Sequence, residues 1–177
     1  MMNHEIILAG FGGQGILFAG KLLAYTGMIF DKAVSWLPSY GPEMRGGTCN
    51  CHIIINDSSV GSPYVVNPTE AVILNKPSFD KFENSILPGG TLFYDSSLCD
   101  NEHKRDDIKY VGIPATTMAY DMNASKLANM IITGKVLKET GMFNLEDVSV
   151  ALSKLIPPKR AEMLEINTKA IEAGFNY

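Results

Sequence analysis

Cysteine is scarce in this sequence: three of its 177 residues are cysteine, and no two of them have C-x-x-C spacing. An odd number of thiols so arranged can build neither a disulfide framework nor a four-thiolate iron–sulfur cluster from this chain alone. Cys49 and Cys51 lie two positions apart in a strand-like run, so both are expected on one face of a sheet as buried, reduced thiols. Any iron–sulfur chemistry is therefore expected on a partner.

The chain also lacks a basic cluster and a long apolar run. Its net charge is -4, and its lysines and arginines are scattered, so no basic field attracts a phosphate backbone. The first residues, MMNHEIILAG, have no basic region and reach glycine after a very short apolar run, unlike a secretory signal or a membrane span. We expect a cytoplasmic protein that binds neither nucleic acid nor a membrane.

The common catalytic motifs are missing as well. GFGGQGIL, residues 10–17, lacks the G-K-[ST] ending of a P-loop, and the sequence contains no G-x-S-x-G elbow and no H-E-x-x-H pair. The three histidines, His4, His52 and His103, support no triad, and His52 is expected to face away from Cys51 on the same strand. The chain therefore has no evident catalytic apparatus of its own.

Short apolar runs alternating with helical periodicity define the fold class. Strands are predicted at residues 5–10, 32–37, 48–56, 71–75, 91–95 and 110–113. Strands that alternate with helices, with a glycine turn after the first strand, predict a three-layer Rossmann-like α/β fold with a mostly parallel sheet. A length near the usual size of one domain predicts a single domain over residues 1–177.

Helix boundaries are predicted from glycine, proline and capping residues. Gly27 is expected to stop the first helix, Ser78 to cap a brief second helix, and Gly134 to interrupt the long helical stretch after Pro114. Asn144 is expected to cap the next helix, with Asp147 in its first turn. Pro157 and Pro158 are expected to separate the last two helices. The charge run over residues 100–109 is expected to be a solvated loop without a function.

The glycine turn after the first strand fits G-x-G-x-x-G through Gly10, Gly12 and Gly15. A helix N-terminus behind glycines can approach an anion closely. However, the ribose-binding acid of a dinucleotide site should end the second strand, where residues 37–39 are Leu, Pro and Ser, and Asp31 comes too early. This argues against NAD or FAD. Three interpretations remain: tight packing without a ligand, a phosphate-bearing group of another cofactor, and a partner surface.

The segment WLPSYGPEMRGG, residues 36–47, is too apolar for a solvated linker and too broken for a helix or strand. Arg45, flanked by glycines, could bind a phosphate or carboxylate with two hydrogen bonds, or could pair with Glu43 to hold the loop. Tyr40 could close over a cofactor or anchor a subunit interface, and the interface is the preferred interpretation.

These motifs together resemble a known family. GFGGQG after the first strand, SYGPEMRGG after the second and the cysteine-bearing strand that follows are similar to the gamma subunit of 2-oxoacid:ferredoxin oxidoreductases. The similarity extends through SPYVV, LPGGTLFYDSS, VGIPAT and NASKLANMIITG, and so covers nearly the whole chain. SYGPEMRGG resembles the 2-oxoglutarate and branched-chain 2-oxoacid members more closely than the pyruvate members.

The resemblance implies a component of a heteromeric complex that converts a 2-oxoacid, coenzyme A and oxidised ferredoxin to acyl-CoA, CO2 and reduced ferredoxin. Thiamine diphosphate would lie between the alpha and beta subunits, and the iron–sulfur clusters would lie on beta or on a ferredoxin-like delta subunit. The present chain would be an accessory structural and substrate-gating subunit, inactive alone; no cofactor is assigned to it with certainty, and coenzyme A is a possible ligand.

The resemblance also implies two contact loops at the carboxyl edge of the parallel strands, where α/β sheets form their crevices. The residues assigned to cofactor binding or subunit contact are Gly10, Gly12, Gly13, Gln14, Gly15, Ser39, Tyr40, Gly41, Pro42, Glu43, Arg45, Gly46 and Gly47. No catalytic residue and no metal ligand is assigned. The alternatives are a stand-alone coenzyme A- or nucleotide-binding Rossmann-like protein and a stand-alone nucleotide-dependent enzyme.

Overall fold

The computed structural model describes residues 2–39, 48–100 and 102–177. Its strands are β1 (Asn3–Phe11), β2 (Ala33–Pro38), β3 (Thr48–Asn56), β4 (Glu70–Ile73), β5 (Thr91–Asp95) and β6 (Lys109–Ile113). Its helices are α1 (Ile16–Ile29), α2 (Lys76–Phe82), α3 (Ala115–Asp121), α4 (Ala128–Thr140), α5 (Leu145–Leu155) and α6 (Ala161–Phe175). No helix within these described ranges is both long and apolar enough to cross a membrane.

The six strands form one sheet in the order β2-β3-β1-β4-β5-β6. β1, β4, β5 and β6 are mutually parallel, whereas β3 runs antiparallel to both of its neighbours, β1 and β2. A parallel crossover needs about a dozen residues or more, and residues 39–47 are too few to provide one. The predicted α/β fold with a mostly parallel sheet is confirmed, with an antiparallel hairpin added at one edge.

The sheet separates two apolar cores, which makes three layers. Alternate residues of β1 face opposite sides, so Ile6 and Leu8 enter one core while Ile7 and Ala9 enter the other. The larger core packs α1, α3, α4, α5 and α6 against one face. The smaller core contains α2 and the segment around Val65. Helices thus cover the two faces unequally, and β2 and β3 have little helical cover on the α2 side.

Gly134 does not interrupt a helix, contrary to the sequence prediction. α4 runs through it, and a Cβ placed on Gly134 would lie 1.9 Å from the carbonyl oxygen of Ile171 on α6. The contact is reciprocal, because a Cβ on Gly174 would lie 1.7 Å from the carbonyl oxygen of Ile131. The two glycines let the backbones of α4 and α6 touch, and this close approach explains a residue type that is otherwise unfavourable inside helices.

Three further boundary predictions were wrong. α1 continues past Gly27 to Ile29, because Gly27 gives room to the side chains of Val34 and Ile55. α2 is capped by Asn75, whose side chain accepts a 2.8 Å hydrogen bond from the Ser78 backbone, so Ser78 is not the cap. The helical stretch after Pro114 divides into α3 and α4, with a break over residues 122–127.

The capping prediction for α5 is confirmed. Asn144 accepts a hydrogen bond from the Asp147 backbone at 2.8 Å, and Asp147 accepts one from the Asn144 backbone at 3.2 Å. Pro157 and Pro158 lie between α5 and α6, as expected.

The charge run is more ordered than a solvated loop. The ring of His103 stacks on Tyr110 with a centroid distance of 3.8 Å. Nη1 of Arg105 donates to the carbonyl oxygens of Glu83 and Ile86, at 3.2 and 2.6 Å. The prediction of a solvated loop is therefore right for the exposed acidic residues of this run. It is wrong for His103 and Arg105, whose contacts attach the run to the rest of the chain.

Candidate functional site

The glycine turn follows β1 at the carboxyl edge of the parallel strands. Gly13 and Gly15 have left-handed backbones, with φ of 97° and 75°, which side chains other than glycine rarely adopt. Gly15 is the N-cap of α1 and provides no side-chain cap, so no side chain of the described residues satisfies the first N–H groups of this helix. The turn thus presents free backbone donors and the positive end of α1.

Gln14 closes the turn from within. Its Oε1 accepts a 2.6 Å hydrogen bond from the backbone of Phe11, and its Nε2 donates a 3.0 Å bond to the carbonyl oxygen of Leu74. A Cβ on Gly10 would lie 2.6 Å from the same Oε1, so glycine is required there while Gln14 holds this position. The assignment of Gln14 to a ligand or a partner stays a prediction, and in this structure its amide joins the turn to the end of β4.

Asp95, at the end of β5, also lies at the carboxyl edge of the parallel strands and is held in place by hydrogen bonds. One carboxylate oxygen accepts from the Ser97 backbone at 3.0 Å, and the other accepts from the backbone and hydroxyl of Thr116 at 3.1 and 2.5 Å. Asp95 is fully buried. With both oxygens engaged, this carboxylate ties the ends of β5 and β6 together.

A cavity of about 290 Å³ opens beside the N-terminus of α1 on the side of the larger core. Gly15 and Asn129 lie in its lining, and Nδ2 of Asn129 donates to the carbonyl oxygen of Gly15 at 3.1 Å. Oδ1 of Asn129 is buried and accepts no hydrogen bond from the described residues. Lys126 and Arg160 also line the cavity, and neither forms an ion pair with a described residue. This region combines helix N–H groups with two cations.

The second predicted loop begins and ends beside the glycine turn. The backbone N–H of Ser39 donates to the carbonyl oxygen of Asn50 at 2.9 Å, and Thr48 pairs with Phe11 in the sheet. Ser39 and Thr48, the described residues on either side of the second predicted loop, therefore lie at the same edge of the sheet as the glycine turn. The remaining predicted contact residues, Tyr40, Gly41, Pro42, Glu43, Arg45, Gly46 and Gly47, lie outside the described residues.

A larger cavity of about 560 Å³ lies on the other side of the sheet, between the β2–β3 hairpin and α2. Its lining residues are Ile7, Leu37, Pro38, Ser39, Asn50, His52, Tyr64, Val65, Val66, Lys81, Phe82 and Ser85. Asn50 pairs with Ala9 of β1, one position before the glycine turn, so this cavity reaches the same edge of the sheet.

His52 is the main titratable group of the larger cavity. Its Nδ1 accepts a 3.1 Å hydrogen bond from the Val65 backbone, which assigns the proton of the neutral ring to Nε2. The ring of Tyr64 stacks on it with a centroid distance of 4.6 Å. Burial holds the pKa of His52 below its ordinary value, and the positive charge of Lys81 lowers this pKa further. The ring is therefore neutral at pH 7.

The cysteines follow the sequence prediction. Cys49 and Cys51 are buried free thiols of the larger core, and His52 lies on the opposite face of β3. Burial raises the pKa of Cys51 to about 12, so this thiol is not a nucleophile at neutral pH. Burial likewise raises the pKa of Cys99 to about 12. Across residues 2–39, 48–100 and 102–177, no three His, Cys, Asp or Glu side chains lie together as a metal site.

Sequence reasoning gave no role to Asn50, His52 or Lys81. The alternation of β3 separates His52 from the cysteines, and this signal was used to discard it as a ligand. The same alternation places Asn50 and His52 side by side, which was the available signal for a shared site. The approach of Lys81 depends on how α2 docks on the sheet, which no local pattern shows.

Comparison with known proteins gives one family for the whole chain. The model of the pyruvate ferredoxin/flavodoxin oxidoreductase family matches residues 5–177. Ketoisovalerate oxidoreductase subunit VorA of Methanothermobacter marburgensis is 34% identical over 174 residues, which are 98% of this chain and 36% of VorA. 2-Oxoglutarate synthase subunit KorC of Methanocaldococcus jannaschii is 31% identical over 177 residues, covering 98% of this chain and 93% of KorC.

A solved structure extends the comparison to the fold. The crystal structure of the gamma subunit of keto/oxoacid ferredoxin oxidoreductase from Geobacter sulfurreducens superposes with a TM-score of 0.86 and 27% identity, over 99% of this chain and 96% of that one. The chain spans about a third of the length of VorA but nearly all of KorC. The resemblance found in GFGGQG and SYGPEMRGG is confirmed, and the chain belongs to the pyruvate ferredoxin/flavodoxin oxidoreductase family.

Proposed function

We propose that this chain is the gamma subunit of a heteromeric 2-oxoacid:ferredoxin oxidoreductase of the 2-oxoglutarate or branched-chain 2-oxoacid type. The complex would convert a 2-oxoacid, coenzyme A and oxidised ferredoxin to acyl-CoA, CO2 and reduced ferredoxin. The observation that carries the proposal is the end-to-end match with KorC, which is named a subunit of 2-oxoglutarate synthase and has nearly the same length as this chain. We expect the complex in the cytoplasm.

The division of labour follows from what the described residues offer. Asp95 is fully engaged within the chain, Cys51 and Cys99 have raised pKa values, and no described cluster can hold a metal. Thiamine diphosphate chemistry and iron–sulfur clusters are therefore proposed for the alpha, beta and ferredoxin-like delta partners. The gamma subunit supports assembly and shapes access to the site that its partners hold.

We infer that the carboxyl edge contacts coenzyme A. The first turn of α1 presents free N–H groups, and Lys126 and Arg160 line the adjoining cavity of about 290 Å³. Cations beside a helix N-terminus favour phosphate groups, because the N-terminal end of the helix dipole and the side-chain charges are both positive. This supports a phosphate-bearing ligand in preference to a plain packing turn.

The same edge also has features of a subunit contact. Phe11 in the glycine turn and Tyr64 and Val66 at the rim of the larger cavity are exposed apolar side chains. Large exposed aromatic and apolar side chains are enriched at interfaces. We propose that partner subunits cover them in the assembled complex.

Co-purification from the native host tests the proposal. The chain should elute with a thiamine-binding and a ferredoxin-like partner, and the complex should reduce ferredoxin only when both a 2-oxoacid and coenzyme A are present. A reconstituted complex without this chain should lose most of that activity, and the isolated chain should show none. Isolation as a monomer or homodimer that reduces NAD would contradict the proposal. Full activity of the complex without this chain would contradict it equally.

A further inference from the structure

The larger cavity, between the β2–β3 hairpin and α2, has features of a ligand site that the gamma-subunit role does not use. Its volume of about 560 Å³ lies within the usual range for small-molecule pockets. Ile7, Leu37 and Val65 give it an apolar wall, and Asn50 and His52 give it a polar floor. It is on the α2 side of the sheet, whereas the cavity with Lys126 and Arg160 is on the other side.

Two buried polar side chains on β3 line this cavity with unused hydrogen-bonding atoms. Asn50 is 6% exposed and His52 is 7% exposed. Among the described residues no hydrogen bond involves the side-chain amide of Asn50, and His52 uses only Nδ1, toward Val65. Neither residue is among the described side chains whose fully enclosed polar atoms lack a partner, so these free atoms are open to the cavity, where a ligand can bind them. The amide N–H of Asn50 and Nε2–H of His52 are available donors.

Lys81 gives the cavity a positive charge. It is the one Lys or Arg side chain among the described lining residues, and no Asp or Glu accompanies it there. No ion pair joins Lys81 to another described residue, and its ammonium lies 5.1 Å from the ring centroid of Phe82. Its field reaches the imidazole, since it contributes to the lowered pKa of His52. One cation without an acid attracts an anion.

We propose that this cavity binds a small organic carboxylate, held by Lys81, Nε2–H of His52 and the amide of Asn50, with its apolar part against Ile7 and Leu37. The single cation matches a single negative charge. Polyphosphates carry more charge than one lysine and a neutral imidazole can compensate. The proposal goes beyond the gamma-subunit role, because it assigns a small-molecule ligand to groups of this chain alone, below the rim residues Tyr64 and Val66 that a partner is proposed to cover.

Titration of the isolated chain tests the site. The probes are 3-methylbutanoate, its neutral amide 3-methylbutanamide and inorganic phosphate, and the readout is the ring carbon–proton NMR signal of each histidine. The carboxylate should shift the His52 signal saturably and leave His4 and His103 unchanged. It should bind at least about tenfold more tightly than the amide, because a hydrogen bond to a charged group is worth more than a neutral one.

Charge variants sharpen the test. Lys81→Met removes the cation but keeps the aliphatic stem, and it should weaken carboxylate binding about tenfold or more. Lys154→Met is the matched control, since Lys154 is an exposed lysine outside the cavity lining. Equal binding of the acid and the amide, tighter binding of phosphate, no shift at His52, or equal losses in the two lysine variants would each overturn the proposal. Because no turnover is measured, the result does not depend on the oxidoreductase role.

Discussion

Nε2 of Gln14 donates a 3.0 Å hydrogen bond to the carbonyl oxygen of Leu74, 60 positions further along the chain. With Oε1 accepting from the Phe11 backbone at 2.6 Å, one amide joins the glycine turn to the end of β4. The shape of the turn therefore depends on a side chain as well as on its glycines. The most conspicuous motif of the sequence is held by its own glutamine.

Gln14→Ala should lower the free energy of unfolding by about 0.5–1.5 kcal/mol, because it removes an exposed hydrogen bond from the Phe11 N–H and a part-buried one to the Leu74 carbonyl oxygen. Gln14→Glu keeps the acceptor and loses the donor, so it should fall between Gln14→Ala and the wild type. Urea denaturation followed by circular dichroism measures both. Lys21→Ala, at an exposed position of α1, is the control and should change stability little. Wild-type stability of Gln14→Ala would show that the bridge does not hold the turn.

Gly134→Ala should destabilise the chain by about 3 kcal/mol or more, since the added Cβ would lie 1.9 Å from the Ile171 carbonyl oxygen and must push α4 away from α6. Gly61→Ala is the matched control: nothing lies within 4 Å of its Cβ position, and Gly61 has no positive φ. Thermal unfolding of the two variants should therefore differ clearly. Similar midpoints would mean that the two helices are not in backbone contact.

The glycine turn after β1 and Gly134 show which features a single sequence predicts and which it does not. Alternation and apolar runs depend on neighbours along the chain, so they predicted the six strands and the position of the glycine turn. The sequence predicted a helix break at Gly134 because the residue that requires glycine there, Ile171, lies 37 positions further along the chain in another helix. The cavity with His52 and Lys81 likewise joins β3 to α2. Contacts of this kind are set by packing, and a single sequence does not display them.

Glu139 should give the chain a pH-dependent stability. It accepts from Lys109 of β6 at 2.7 Å and pairs with Lys135 of α4 at 2.9 Å. The hydrogen bond from Lys109 and then that from Lys135 lower the pKa of Glu139 to about 2 from 4.5. A carboxyl group with a lower pKa in the folded state stabilises that state above pH 4.5, and this contribution disappears as the pH falls toward 2.

Glu139→Gln should therefore cost about 1 kcal/mol at neutral pH, the scale of partly exposed ion pairs. The difference from the wild type should shrink as the pH is lowered from 4.5 toward 2. Chemical denaturation at a series of pH values measures this difference. Glu162→Gln, at an exposed glutamate with no ion pair among the described residues, should show no such trend. A difference that grows on acidification would contradict the assignment.

Lys126 and Arg160 should affect coenzyme A more than the 2-oxoacid. In the reconstituted complex, Lys126→Ala and Arg160→Ala should each raise KM for coenzyme A several-fold, because each removes a cation from the cavity beside the N-terminus of α1. Lys159→Ala is the control, since Lys159 is exposed next to Arg160 but does not line that cavity. Equal effects of all three variants would remove the two cations from the proposed contact, and a changed KM for the 2-oxoacid alone would place their role elsewhere.

Arg45 is the residue of the SYGPEMRGG segment most able to bind an anion, and it lies outside the described residues. Arg45→Ala in the reconstituted complex should reduce turnover or assembly about tenfold, the scale of a lost charge-assisted pair. Arg45→Lys should restore only part of this loss, because an ammonium cannot form two parallel hydrogen bonds with one phosphate or carboxylate. Circular dichroism of the isolated subunit should be the same for both variants, so that a loss of folding is not mistaken for a loss of contact. Full activity and assembly of Arg45→Ala would remove Arg45 from the proposed site.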